Sequence, residues 1–231
     1  MCFSATASFV AGTVLIAGGA VALRKTPDLG PRFLGFAAFP MFFGIQQISE
    51  GLLWLSLDGP DPVPPNAAAL VFLFFAYWFW PVWVPLSSTL VEPDAARRRI
   101  FAGLSAFGFC LGAALYLPLL LTPQTLDISL VRHSIQYKNP GLFPGEAAKT
   151  AARLVYALVI CLPLAGSSHA QVRIFGALIV ASVAAGFVFA AYAFTSIWCF
   201  LAAMISGYIV YMVFVLARED RSGEPARRNL S

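Results

Sequence analysis

Glu50 stands in an apolar stretch running from 33 to 57, shortly after Gln46 and Gln47, and no other acidic residue lies well inside an apolar stretch of this chain. On a helix, Gln46, Glu50 and Trp54 recur every four residues along one face, with Gln47 beside them. A carboxylate inside a bilayer costs about 2.5 to 3.5 kcal/mol on insertion scales, so its default reading is functional: metal ligand, proton carrier or partner of a cation. The structural alternative is a protonated Glu50 that only glues helices together through the two glutamines. Three other side chains have chemistry to offer: Cys2 at the N-terminus, His133 in a long connection and Cys199 near the end of the chain. Two thiolates, an imidazole and a carboxylate make a mixed donor set suited to copper or zinc. No spacing motif links these four; only the fold would unite them.

The elements that must do so are membrane helices. The 231 residues are 59% hydrophobic and 11% charged, about half the charge fraction of an ordinary soluble domain. At about 20 residues per crossing, such a chain has room for roughly eight spans and no separate soluble domain. Apolar stretches at 3–23, 33–57, 66–91, 100–121, 150–166, 174–192 and 195–217 predict seven. Arg24, Lys25 and Arg32, then Arg97, Arg98 and Arg99, then Arg173, then Arg218, Arg221, Arg227 and Arg228 follow alternate spans, whereas the short connections after spans 2 and 6 carry no basic residue. Basic residues collect on cytoplasmic flanks. The expected fold is therefore all-α: a seven-transmembrane-helix bundle over 1–217, N-terminus outside, with a cytoplasmic basic tail over 218–231. The first stretch lacks a positive leader region and is read as an uncut anchor. In this topology Cys2, Glu50, His133 and Cys199 share the outer half of the membrane. If Met1 is removed, the amine and thiol of Cys2 can chelate together. A disulfide between Cys2 and Cys199 is the competing reading. Cys110 and Cys161 fall elsewhere and read as packing residues.

The connection from Pro123 to Lys149 runs about 27 residues where the other loops are minimal, and loops of that length are commonly functional or disordered. Its Leu126–Leu130 segment alternates apolar and polar, and Pro140, Gly141, Pro144 and Gly145 punctuate the remainder, so it is expected to be an ordered lid over the outer mouth. His133 on its own reads as a surface residue; its placement beside the other donors changes that. The run from Tyr77 to Pro85 sets five aromatics near the middle of span 3, with Pro81 and Pro85 expected to kink it. That run walls either a cavity for a quinone-like or lipid-like ligand or, the better reading, a contact with small-residue helices bearing Gly108, Gly112, Ala184, Ala185 and Gly186.

Composition also excludes. Two histidines, His133 and His169, expected on opposite faces, provide neither bis-histidine haem ligation nor a three-histidine zinc hydrolase of the ceramidase type. No lysine falls inside a late helix for a retinal Schiff base. The basic residues form no nucleic-acid stripe.

The opening Met1-Cys2-Phe3-Ser4, Gln47-x-x-Glu50-x-x-x-Trp54, His133-x-x-x-Tyr137 and Ser196-x-Trp198-Cys199 together resemble an uncharacterised family of small bacterial multi-spanning membrane proteins that begin Met-Cys-Phe-Ser. The resemblance implies a bacterial integral membrane protein, hence the inner membrane, and brings no activity, substrate or cofactor. The leading expectation is an outward-facing site in which Cys2, Glu50, His133 and Cys199 bind a transition metal, copper or zinc, for redox, sensing or metal handling. Gln46, Gln47, Trp54, Tyr137, Ser196 and Trp198 would surround those ligands or line the site. The alternatives are a proton-coupled small-molecule transporter using Glu50, and a structural or assembly protein of the membrane.

Overall fold

Ser4 opens the first helix by accepting a hydrogen bond from the Ala7 amide at 3.2 Å, filling one of the donor positions a helix start leaves empty. The computed structural model describes residues 4–58, 66–139 and 145–222. Among these, α1 (Ala5–Lys25) ends in Arg24 and Lys25, where cations suit the helix dipole, and Lys25 pairs with Asp28 at 2.7 Å. The expected second span is broken. A four-residue helix α2 (Leu34–Ala37) precedes α3 (Phe39–Asp58), and the break falls just before Pro40, whose ring nitrogen has no proton to continue the ladder. The chain continues through α4 (Asn66–Leu73), a π-helical segment Phe74–Phe79, and α5 (Trp80–Val91). Then come α6 (Ala95–Leu121), a β-hairpin of β1 (Asp127–Val131) and β2 (Ser134–Lys138), α7 (Glu146–Ala165), α8 (Ala170–Ala190) and α9 (Phe194–Ser222).

Six helical stretches, α1, α4 through α5, α6, α7, α8 and α9, are long and apolar enough to cross a membrane. Large apolar side chains such as Val14, Ile100, Phe109, Leu121 and Val188 stand exposed on their outer faces, an arrangement that fits lipid rather than water. The protein is a multi-pass membrane protein. Helix α3 is of comparable length, but buried Gln46, Gln47, Ser49 and Glu50 dilute its hydropathy. It packs between α1, α4 and α9. Its contact with α1 is backbone to backbone: a Cβ on Gly44 would lie 2.7 Å from the Gly12 carbonyl oxygen, and one on Gly12 2.9 Å from that of Gly44. Small residues at such a crossing let helices approach closely, and here they press the polar helix into the bundle.

Several helix ends differ from the hydropathy reading. Asp94 caps α6 by accepting from the Arg97 amide at 2.8 Å, so Arg97, Arg98 and Arg99 belong to its first turns rather than to a loop. Helix α7 reaches back to Glu146, making the expected short span 20 residues long. A single 3-10 turn, Ala191–Ala193, separates α8 from α9. Helix α9 runs on through Arg218 and Arg221, so the tail does not begin at 218; residues 223–231 lie outside the described residues.

The expected lid contains a two-stranded antiparallel sheet pairing Asp127 with Lys138 and Val131 with Ser134. Arg132 and His133 form its two-residue turn with φ of 50° and 58°. Two consecutive left-handed residues match the right-handed twist of paired strands, although Asn-Gly is the usual pair for that turn. The Gln136 amide donates to the Tyr192 carbonyl at 2.7 Å, fastening β2 to the corner between α8 and α9.

Candidate functional site

The polar face of α3 meets α9 inside the bundle. The Ser196 hydroxyl donates to Glu50 Oε1 at 2.5 Å, and the Gln47 amide reaches Glu50 Oε2 at 3.4 Å. Glu50 is 2% exposed, and among the described residues it has no Lys, Arg or His ion-pair partner. It lies eight residues before the end of α3, about 12 Å along the axis. Gln46 receives the Trp80 indole N–H at 2.8 Å, and its own amide points to the Phe72 carbonyl at 3.5 Å. Gln47 Oε1 is buried with no partner among the described residues. One glutamine therefore secures the third crossing to α3, while the other serves the carboxyl.

The aromatic run provides a second feature. The Trp80 N–H bonds Phe75, five residues back, and Pro81 has no N–H with which to reach the next carbonyl in that register. The Ala76 carbonyl is left over, and the Tyr156 hydroxyl of α7 donates to it. A π-helical turn before Pro81 thus accommodates the proline locally. Most of the aromatics pack on one another: Phe43 stacks on Trp80 with centroids 3.8 Å apart, and Phe79 on Trp83 at 5.2 Å. Helix α6 closes against Pro81 through Gly108, as the small-residue reading anticipates; a Cβ there would lie 1.9 Å from the Pro81 carbonyl oxygen.

Beneath the hairpin lies a cavity of about 330 Å³. Tyr137 of β2 stacks on Phe72 at 5.2 Å and lines this space, its hydroxyl buried without a partner. Burial pushes that phenol well above its ordinary value of 10, and the neighbouring Glu50 and Cys199 push in the same direction. Helix α7 forms another wall with Glu146, Lys149, Arg153 and Tyr156. Lys149 and Glu146 pair at 2.8 Å, whereas the Arg153 guanidinium lies over the Phe194 ring, 5.4 Å from its centroid. Thr195, Trp198 and Cys199 of α9 complete the inner side.

The structure gathers part of the expected set. Glu50, Gln46, Gln47, Ser196 and Cys199 share the α3–α9 contact; Cys199 is buried one turn beyond Ser196, with Gln46 facing its thiol and Trp54 in the same apolar cluster. Tyr137 approaches from the hairpin. Trp198 is turned instead toward α8, donating to Ser182 Oγ at 3.1 Å. Cys2 lies outside the described residues, as do the loop residues 140–144. His133 stands exposed at the hairpin turn, four residues from Tyr137. Among the described residues no three His, Cys, Asp or Glu side chains are grouped as a metal site. Cys161 is partly buried, but Cys110 is exposed on α6 rather than packed. Sequence reasoning missed Arg153, Tyr156 and Thr195, whereas Tyr77 opens the aromatic run named above. The useful signal for Arg153 was its depth once α7 begins at Glu146; nothing in the sequence marked Tyr156.

The opposite end of the bundle holds a second polar cluster. Glu92, after α5, accepts from the Ser168 amide at 2.8 Å, the Ser167 hydroxyl at 3.3 Å and the Ser168 hydroxyl. Burial works against its charge, but these bonds and one from the Asp94 amide outweigh it and hold the carboxyl below its ordinary value. His169 Nε2 meets the Val91 carbonyl at 2.9 Å, and Arg97 donates to the Gly166 carbonyl at 3.1 Å. The two corners, α5–α6 and α7–α8, are thereby clasped.

Residues 1–228 match the model of a family described as Family of unknown function (DUF6629). The chain belongs to that family. No curated protein and no solved structure matches the chain. The DUF6629 match covers the polar face of α3, the hairpin and the cavity wall of α9 alike.

Proposed function

We propose that this protein is a proton-coupled small-molecule transporter in which Glu50 is the proton-carrying group and the cavity under the hairpin receives the solute. Helix α3 is then a seventh span, carried within the bundle rather than against lipid, in a bacterial inner membrane with the N-terminus outside. The basic residues following alternate spans support that orientation. One observation carries the reading: a carboxyl buried between two helices, held by a hydroxyl and an amide, with no ion-pair cation among the described residues. Such a group can gain and lose a proton within the bundle, and intramembrane carboxyls of this kind mark proton relays. Tyr137 and Cys199 both line the cavity, and Cys199 follows Ser196, the Glu50 partner, by one turn of α9.

The test is transport in vesicles loaded with a pH-sensitive dye and challenged with gradients of small organic acids, amines and neutral solutes. Wild type is expected to move protons with one class of solute, and folded Glu50→Gln to move none. The metal reading, with copper or zinc on Cys2, Glu50, His133 and Cys199, predicts something else. Near-stoichiometric metal in purified wild type, lost in Cys2→Ser and Glu50→Ala, together with no solute-driven proton movement, would overturn the transporter.

A further inference from the structure

Resting on the transporter reading, we propose that the cavity beneath the hairpin binds a small organic carboxylate with an apolar body, its carboxylate held by Arg153. Arg153 lies two turns into α7, inside a stretch long and apolar enough to span a membrane. A guanidinium at that depth is costly and calls for a partner. Among the described residues it forms no salt bridge and no hydrogen bond; it lies over the face of Phe194, with Glu146 and Tyr77 within reach of its charge. Its fork of N–H donors borders the cavity and makes no hydrogen bond among the described residues.

The neighbours narrow the ligand. Lys149 and Glu146, one to two turns nearer the rim, cancel one another at 2.8 Å. Arg153 is left as the inner cation and Lys138 of β2 as an exposed one. That balance excludes an amine. A lone planar guanidinium stacked on an aromatic ring suits a carboxylate taken through two parallel bonds. Trp198 and Leu115 provide apolar wall for a ring or short chain, and about 330 Å³ is near the lower bound of ordinary small-ligand sites. Tyr137 contributes its ring to the wall, its hydroxyl being buried away from the cavity. A guanidinium without a salt bridge among the described residues, set against an apolar-walled cavity, is the juxtaposition that carries the proposal. A proton on Glu50 and a carboxylate on Arg153 would cross together with no net charge, which ties the substrate class to the coupling.

Benzoate serves as the probe, with benzamide and benzylamine as its neutral and cationic counterparts, titrated into detergent-purified protein by calorimetry. Wild type is expected to prefer benzoate over both by about tenfold or more. Folded Arg153→Gln loses that preference, and Arg153→Lys keeps part of it. Equal affinity for benzoate and benzamide, or a preference that survives Arg153→Gln, overturns the proposal. So does an Arg153-dependent signal given by phosphatidylglycerol and not by benzoate, which assigns the guanidinium to a lipid headgroup. Glu50→Gln separates the two readings: Arg153-dependent benzoate binding without Glu50-dependent proton movement sinks the transporter and leaves this site standing. Proton movement driven only by amines or neutral solutes does the reverse.

Discussion

The Ser196 hydroxyl donates a 2.5 Å hydrogen bond to Glu50 Oε1, joining residues 146 positions apart at the contact of α3 with α9. Removing the donor leaves a buried carboxyl oxygen without a partner, which costs about 1 to 3 kcal/mol or more for a charged group. Ser196→Ala is expected to lower the unfolding midpoint in detergent. The loss in Ser196→Ala/Glu50→Gln should fall short of the sum of the single variants, because both remove the same bond. Strict additivity would show that the two side chains do not interact.

Two tyrosines lining the same cavity should respond oppositely to loss of a hydroxyl. Tyr156→Phe strands the Ala76 carbonyl that the π-helical turn and Pro81 have freed, and is expected to destabilise by about 1 to 3 kcal/mol. Tyr137→Phe removes a hydroxyl with no partner and should be neutral or slightly stabilising. Thermal unfolding of the two variants side by side decides it.

Gly108→Ala would set a methyl 1.9 Å from the Pro81 carbonyl oxygen, and backbone cannot swing aside as a side chain can. We expect a loss above about 3 kcal/mol or failure to fold. Gly103→Ala, on the same helix and facing open space, should cost nothing measurable. Yield of monodisperse protein and unfolding midpoint compare the two.

Glu92 makes stability depend on acid. Its carboxyl is held below the ordinary 4.5 in the folded protein, so its contribution is fully present above that value and is lost as pH falls through the depressed one. Wild type should exceed Glu92→Gln in unfolding midpoint at about pH 7, and the gap should close as the pH is taken below about 4. A gap that stays constant over that range would show that the charge of Glu92 contributes nothing.

Much of this architecture was legible as hydropathy, and the parts that were not have identifiable causes. Hydropathy sees what lies in lipid, not where a helix is capped, so α6 begins at Ala95 behind its Asp94 cap and α7 at Glu146, several residues before the apolar stretches do. The second stretch concealed the break at Ala38 because apolar content continues across it; only Pro40 marked the interruption. Glu50, Gln46 and Gln47 were readable as an inward face because polar groups in an apolar helix have nowhere else to go. The alternation of Leu126–Leu130 announced order, but Arg132-His133 lacks the usual signature of a two-residue turn, so the hairpin could not be read from it. Ser196 was noticed as part of a string; that it would meet Glu50 depends on the crossing of α3 and α9, which no local pattern encodes.

The bond from Gln136 to the Tyr192 carbonyl makes the hairpin a lever on α9. Tyr192, in the 3-10 turn before α9, precedes Ser196 by four residues, so β2 is fastened close to the end of the helix that holds the Glu50 hydrogen bond. The strand over the cavity and the start of the helix that holds the buried carboxyl are thus tied at one point, Gln136.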